Sequence, residues 1–87
     1  MYELEIYAAG LRDPSKVIEL GNEVGTYPQL RYKVDSNHDL VYFEMDEPII
    51  SVDVALGIVR KIGLEPRVVG IVPPELLSGT KTQKLQM

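Results

Sequence analysis

Apolar and polar side chains alternate in three segments of the chain, and we predict a half-buried β-strand for each. In residues 2–8 every second side chain is apolar from position 4 onward, which is the period of two expected for a strand. The same alternation recurs over 30–34 and 40–45. The polar run 35–39 between the last two segments predicts a turn, so these strands should pair as a hairpin.

Two further segments carry apolar residues at the 3.6-residue spacing of an amphipathic helix. The first should begin at Asp13 and Pro14, because an aspartate accepts from free backbone N–H groups and a proline fits the first turn. It should end near Gly25. The second should begin with Ser51 as its cap and end at Gly63. The predicted apolar stripes are Val17, Leu20, Gly21 and Val24 in the first helix, and Val52, Ala55, Leu56, Val59 and Ile62 in the second.

Residues 67–72 complete the pattern as a fourth predicted strand, which gives the order β-α-β-β-α-β. With right-handed crossovers, this order predicts an α+β, ferredoxin-like sandwich. A four-stranded antiparallel sheet of order 4-1-3-2 should carry both helices on one face. We expect one domain at 1–73 and a carboxyl-terminal tail at 74–87. The strand residues predicted to face the helices are Leu4, Ile6, Ala8, Leu30, Tyr32, Val34, Val41, Phe43, Met45 and Val68.

Composition narrows the possible functions. The 87 residues carry a net charge of −4, which opposes binding to nucleic acid because that affinity depends on neutralising phosphates. There is no cysteine, so disulfides, thiolate metal sites and thiol nucleophiles are excluded. The amino terminus shows neither a basic start nor an apolar run of signal-peptide length. We expect a soluble cytoplasmic protein that does not contact a membrane.

The junction after the first predicted strand, "YAAGLRDPSK", carries a resemblance to a known family. From Glu3 to Val69 the chain resembles the heavy-metal-associated domain of copper chaperones and metal-transporting ATPases. Gly10-Leu11 stands where that family has Gly-Met, and "KIGLEP" places Leu64 where the family has an aromatic residue. The resemblance implies a ferredoxin-like fold.

The metal ligands of that family have no counterpart here. The positions of its two cysteines fall on Asp13 and Lys16, whereas monovalent copper needs thiolates or thioethers. We therefore expect no metal and no cofactor. Asp13 should act instead as a helix cap.

The remaining candidates for catalysis or metal binding, one histidine and three acidic residues, lack the spacing that these functions require. His38 is the single histidine and lies in the polar turn, where near neighbours do not form a catalytic triad. Asp46, Glu47 and Asp53 are close in sequence, but their spacing differs from a calcium loop. Because no nucleophile is placed beside a base, we expect that the protein is not an enzyme.

The sheet face opposite the helices has an unusual amount of apolar surface, which is typical of an interface. A protein partner or a second copy is one possible occupant. Leu76 and Leu77 of the tail folding back is another. Base stacking, as in RNA-recognition domains, is a third, although Glu3 and Glu5 on the same face oppose it. The candidate interface residues are Tyr7, Leu40, Tyr42, Val69 and Ile71.

These observations predict a non-enzymatic domain that acts through protein–protein contacts or self-association on the open sheet face. The alternative is a regulatory domain of the ACT type that senses a small ligand such as an amino acid. ACT domains share this strand order and bind their ligand at the loop after the first strand, which "RDPSK" at 12–16 resembles in part.

Overall fold

A computed structural model describes residues 1–77, and its elements follow the predicted βαββαβ order. Asp13 caps the first helix by accepting from the Ser15 backbone N–H, and Ser51 caps the second by accepting from Val54. The elements are β1 (Tyr2–Ala8), α1 (Pro14–Val24), β2 (Arg31–Asp35), β3 (Leu40–Met45), α2 (Val52–Lys61), β4 (Pro66–Val69) and a short 3₁₀ helix, Pro74–Leu76.

The four strands form one antiparallel sheet in the order β2-β3-β1-β4. This is the predicted order counted from the opposite edge, so the fold prediction is confirmed. In β1 and β3, Leu4 lies opposite Phe43 and Ile6 lies opposite Val41. These side chains and the buried residues of both helices belong to one hydrophobic core. The helices therefore cover a single face of the sheet, and we call the opposite side the outer face.

The core contains four side chains that the apolar periodicity did not predict. Leu11 and Ile50 lie in the connections before the two helices, and Leu76 lies in the 3₁₀ helix, where no period marks a buried position. Ile58 of α2 is buried, while Leu56, which was predicted to be, is only half-buried. The buried set is Leu4, Ile6, Ala8, Leu11, Leu20, Val24, Leu30, Val41, Phe43, Met45, Ile50, Val52, Ala55, Ile58, Val59, Ile62 and Leu76.

The fourth strand is shorter than predicted. It ends at Val69, so the expectation of a strand over 67–72 is wrong at its carboxyl end. Gly70 follows with φ of +75°, a left-handed conformation that interrupts the extended backbone. Ile71 lies beyond this turn and is 93% exposed.

The residues after β4 return to the core. Leu76 is fully buried among the core side chains, whereas Leu77 is 39% exposed. The expectation that Leu76 covers the outer face is therefore wrong, and the packed domain extends past the predicted boundary at residue 73. The rest of the predicted tail, residues 78–87, lies outside the described residues.

Candidate functional site

The loop between β1 and α1, residues 9–13, is packed tightly against the connection between α2 and β4. Gly10 has φ of +107°, and a Cβ atom added there would lie 2.8 Å from Cδ2 of Leu64. Leu11 is fully buried. Since Leu64 occupies the space over Gly10, we expect this position to accept only glycine without rearrangement.

Asp13 is engaged in capping. Its Oδ1 accepts from the backbone N–H and from the hydroxyl of Ser15, each at 2.9 Å. These hydrogen bonds, the side-chain bond first, lower the pKa of Asp13. The carboxylate therefore stabilises the first turn of α1, as predicted.

Lys16 joins the two helices. Its Nζ donates to the carbonyl oxygen of Ile62 at 2.7 Å, just past the end of α2. A carboxylate oxygen of Glu19 lies 3.8 Å from the same nitrogen, and the Lys16 side chain is 30% exposed. A cation at this place satisfies one of the carbonyls that a helix leaves unpaired and interacts favourably with the helix dipole.

Arg12 attaches the hairpin between β2 and β3 to the same end of the molecule. Its Nη2 donates to the carbonyl of Asn37 at 3.1 Å, and its Nε lies 3.6 Å from Oδ1 of Asp39. The backbone N–H of Ala8 donates to the carbonyl of Asp39 at 2.9 Å. The first loop is therefore held to both neighbouring connections.

The residues of this loop do not fit a soft metal ion. Asp13 presents a hard oxygen that already accepts two hydrogen bonds, and Lys16 presents an ammonium group, whereas monovalent copper is bound by sulfur ligands. Within residues 1–77 no three potential ligands come together.

His38 and Asp46 each have a local partner. His38 lies 2.9 Å from Asp35 through its Nδ1, and Asp46 pairs with Arg31 at 3.2 Å. His38 and Asp46 are exposed, and so is Glu47, the neighbour of Asp46 in the sequence. Asp53 lies in the first turn of α2. The structure does not bring Asp46, Glu47 and Asp53 into one cluster of ligands.

The outer face consists of three cross-strand rows, set by the strand register. The first row is entirely charged, the second has a tyrosine in its centre, and the third has an apolar pair in its centre. From β2 towards β4 the rows are Arg31, Glu44 and Glu3; Lys33, Tyr42, Glu5 and Val69; and Asp35, Leu40, Tyr7 and Arg67.

Three carboxylates lie on the two central strands of this face. Lys33 pairs with Glu44 at 3.0 Å, and this hydrogen bond lowers the pKa of Glu44. Partial burial, together with a hydrogen bond to Glu44 and repulsion from it, raises the pKa of Glu3. Glu5 forms no hydrogen bond or ion pair within the described part of the chain. The two central strands therefore carry three carboxylates, and the Lys33 ammonium from β2 reaches over them, with its Nζ 5.9 Å from the centre of the Tyr42 ring.

An apolar patch lies beside these carboxylates, and we call Tyr7, Leu40 and Tyr42 the outer patch. Tyr7 lies directly opposite Leu40, and Tyr42 on β3 is the diagonal neighbour of Tyr7. Tyr7 is 37% exposed. Burial raises the pKa of Tyr42, and the nearby Glu5 adds to this effect, so the hydroxyl remains a hydrogen-bond donor.

The other two predicted interface residues are separated from this patch. Val69 is on the outer face, but Glu5 lies between it and Tyr42 in the same row. Ile71 lies beyond the end of β4. Alternation correctly predicted which strand residues share the outer face. Ile71 was included in error, because the prediction extended the fourth strand to residue 72 whereas β4 ends at Val69. In the described residues the chain encloses no pocket, and no helix there is long and apolar enough to cross a membrane.

The comparisons with known proteins concern the fold. The amino-terminal domain of PacS from Synechocystis PCC6803 superposes with a TM-score of 0.65 at 11% identity, covering 80% of this chain and all of that one. The yeast copper transporter domain Ccc2a, solved in apo and Cu(I)-loaded states, gives 0.69 at 8% identity, covering 80% and 97%. A copper-binding domain from HMA7, a P-type ATPase, gives 0.68 at 8% identity, covering 80% and 96%.

No family model matches the chain, and no curated protein matches it in sequence. At such low identities the superpositions establish the fold and not the activity. The resemblance to heavy-metal-associated domains is therefore confirmed in the fold. The cysteine pair is absent from the sequence.

Proposed function

We propose that this domain acts through protein–protein contacts or self-association on its outer face, and that it neither binds a metal nor catalyses a reaction. The observation that carries the proposal is the outer patch. Tyr7, Leu40 and Tyr42 adjoin one another on the two central strands, next to carboxylates. Tyrosines of this kind are enriched in protein interfaces, because they combine apolar area with a hydrogen-bonding hydroxyl.

The first loop supports the second part of the proposal. In a metal-transfer domain the loop must open to the incoming ion and then release it. Here Asp13 and Lys16 are occupied with hydrogen bonds that stabilise the fold. Lys16 also places a positive charge at this end of the molecule, which would repel a cation.

The size of the face favours a weak or transient complex. Four strands spaced about 4.8 Å apart, with about five residues each at 3.3 Å, cover roughly 300–400 Å². A stable interface usually buries about 800 Å² on each partner. We therefore infer an association that forms and dissociates readily, and we place it in the cytoplasm on the basis of the sequence.

The test is to replace Tyr42 by glutamate and to measure the solution mass over a series of concentrations. We expect the mass of the unmodified chain to rise with concentration and that of Tyr42→Glu to stay monomeric, because the new charge would be buried in the contact. Ile18→Glu is the matched control, since Ile18 is 66% exposed on α1, away from the outer face.

Three results would oppose the proposal. Equal concentration dependence for the unmodified chain and Tyr42→Glu would exclude the outer patch from self-association. A reproducible rise in melting temperature with one amino acid, in a screen of amino acids and Cu(I), would favour the ACT-type sensor instead. A rise with Cu(I) would contradict the absence of a metal site.

A further inference from the structure

We propose that the open edge of β2 binds an extended segment of a partner protein, in which acidic and apolar residues alternate, as an added strand of the sheet. Among the strands of residues 1–77, β2 stands at one end of the order and pairs only with β3. An unpaired edge presents a row of backbone donors and acceptors, which a further strand satisfies. This edge is separate from the outer patch, so the inference goes beyond the proposed function.

The two edges of the sheet differ in their capacity to accept a strand. β4 has four residues and begins with Pro66, which has no backbone N–H group to donate. β2 has five residues and no proline, and its first three residues are exposed. β2 therefore offers the longer edge with the complete set of donors.

The side chains of β2 present a different chemistry on each side of the sheet. On the outer face, the side chains of Arg31 and Lys33 are 49% and 66% exposed. On the helix side, Tyr32 is 36% exposed and Val34 is half-buried. Because side chains directly opposite on neighbouring strands share a face, the added strand must alternate in the same way. It should place carboxylates opposite the two cations and apolar side chains opposite Tyr32 and Val34.

Both cations already pair within the chain, and each retains donors for a second carboxylate. Arg31 uses Nη2 for Asp46 at 3.2 Å, whereas a guanidinium group has five N–H donors. The Nζ of Lys33 lies 3.0 Å from Glu44, and an ammonium group has three donors. A carboxylate on the open side of β2 can therefore bind either cation without displacing the existing partner.

β3 already shows this arrangement on the closed side of β2. Glu44 lies directly opposite Arg31 on the outer face, and Phe43 lies opposite Tyr32 on the helix side. Opposite charges on neighbouring strands are favourable, as are pairs of an aromatic and a β-branched residue. A partner strand that alternates acidic and apolar residues would repeat this pattern on the open side.

A second copy of β2 fits this edge less well. In the antiparallel register that pairs all five residues, Lys33 lies opposite Lys33 of the other copy, and like charges directly opposite are destabilising. Arg31 then lies opposite Asp35, but that carboxylate already pairs with His38 at 2.9 Å. A lysine on an edge strand disfavours such pairing between copies, whereas it favours an acidic strand.

The experiment titrates the full isotope-labelled chain with a synthetic peptide and follows the backbone amides by NMR. The peptide is Thr-Val-Glu-Val-Glu-Val-Thr with blocked ends, which has the same sequence in both directions and so tests parallel and antiparallel addition alike. We expect the largest shift changes at 31–35, together with slower hydrogen exchange of the N–H groups on the open edge. The same peptide with lysine in place of glutamate should bind about fivefold more weakly, because exposed charge pairs contribute modestly.

Two further controls separate strand addition from attraction between charges. The acidic peptide with N-methyl groups on its central backbone nitrogens keeps both carboxylates but cannot donate to the edge, so it should leave the β2 amides unchanged. Arg31→Gln with Lys33→Gln should weaken binding of the acidic peptide about fivefold. Arg60→Gln with Arg67→Gln is the matched variant, because it removes the same charge from α2 and β4, and it should retain the affinity. Melting temperatures of both variants show whether the fold is kept, and the comparison of peptides on the unmodified chain does not depend on them.

Several results would overturn the proposal. Equal binding of the acidic, basic and N-methylated peptides would exclude strand addition, and so would shift changes that are largest at β4 or at the outer patch. Shift changes at β2 that depend on protein concentration without any peptide would assign the edge to a second copy instead. None of these results depends on the solution mass of Tyr42→Glu, so failure of this inference is distinguishable from failure of the proposed function.

Discussion

At the scale of single residues, Asp13 and Lys16 give the first loop a structural role. Each of the two side chains forms a hydrogen bond to a backbone group at a helix end. Asp13 complements the dipole of α1 at its start, and the ammonium group of Lys16 complements the dipole of α2 at its end. The loop thereby contributes to stability through groups that cannot hold copper.

Replacing Lys16 by methionine should lower the free energy of unfolding by about 1–2 kcal/mol, because the Ile62 carbonyl loses a charged donor. Chemical denaturation measures this. Lys61→Met is the control. The Lys61 side chain is 70% exposed, and within residues 1–77 its ion pair is with Glu23 on the surface, a contact worth less than about 1 kcal/mol. An equal effect of the two changes would show that the bond to Ile62 contributes nothing specific.

The pair Lys33–Glu44 should make stability depend on pH. The pKa of Glu44 is lowered in the fold, so its contribution is present above its ordinary value of 4.5 and is lost as the pH falls through the folded value. The pKa of Lys33 is raised, chiefly by the same hydrogen bond, so its contribution is lost only as the pH rises through its own folded value, above 10.5.

Lys33→Met should therefore lower the melting temperature at neutral pH, and the difference from the unmodified chain should disappear in acid as Glu44 becomes protonated. Carboxyl NMR titration should also show the pKa of Glu44 rising towards its ordinary value. Arg67→Met is the control on the same face, because Arg67 has no ion pair within residues 1–77. A difference that persists unchanged below pH 4, about the ordinary carboxyl range, would contradict this account.

At the scale of elements, the packing of α1 on the edge of the sheet depends on Gly21. A Cβ atom there would lie 2.7 Å from the hydroxyl oxygen of Tyr32 and 3.6 Å from its ring. Glycine lowers helix stability by about 1 kcal/mol relative to alanine. At position 21 this lower helix propensity is the cost of a close approach between α1 and Tyr32 of β2.

Gly21→Ala should therefore give little or no gain in stability, whereas the same change in a Tyr32→Phe background should gain about 1 kcal/mol, because the obstructing hydroxyl is gone. Gly57→Ala in α2 is the matched control, since an added Cβ meets nothing within 4 Å there. Thermal unfolding of Gly21→Ala, Tyr32→Phe, the double variant and Gly57→Ala gives the interaction energy between positions 21 and 32. If Gly21→Ala and Gly57→Ala stabilise equally, Tyr32 does not restrict α1.

The elements themselves were largely predictable because their signals are local. The caps Asp13 and Ser51, the alternation in β1 and β3, and the stripe of α2 each follow from side chains within a few positions. The end of β4 was not predictable in this way, because the apolar pattern continues through "VGIV" while the backbone turns at Gly70. Burial of Leu11 and Leu76 depends on tertiary packing that no period records.

At the scale of the whole molecule, the candidate site was predictable only in part. The sequence placed Tyr7, Leu40 and Tyr42 on one face, because register follows from alternation. It also indicated that Asp13 would cap a helix. The bond from Lys16 to Ile62 was missed, since it joins residues 46 positions apart. The only signal was a lysine in the first turn of α1, where a cation opposes the dipole of its own helix, and sequence alone does not show which helix ends are adjacent.

The core is completed by residues beyond β4, and Leu76→Ala tests this. Because Leu76 is fully buried, its truncation should cost about 2–5 kcal/mol, a large part of the stability of a small domain. Leu77→Ala, at a position 39% exposed, should cost clearly less. Denaturant unfolding measures both, and equal small effects would place residues 74–77 outside the cooperative unit.

The attachment of Arg12 to Asn37 and Asp39 has a consequence for degradation. A protease must bind a stretch of extended chain in its cleft, and a loop that is fixed at several points resists this. The side chains of Arg12 and Lys16, which trypsin would have to bind, are themselves held by hydrogen bonds to the carbonyls of Asn37 and Ile62. Trypsin should therefore cut after these two residues only when the whole domain unfolds, and the rate of cutting there becomes a measure of how often it does so.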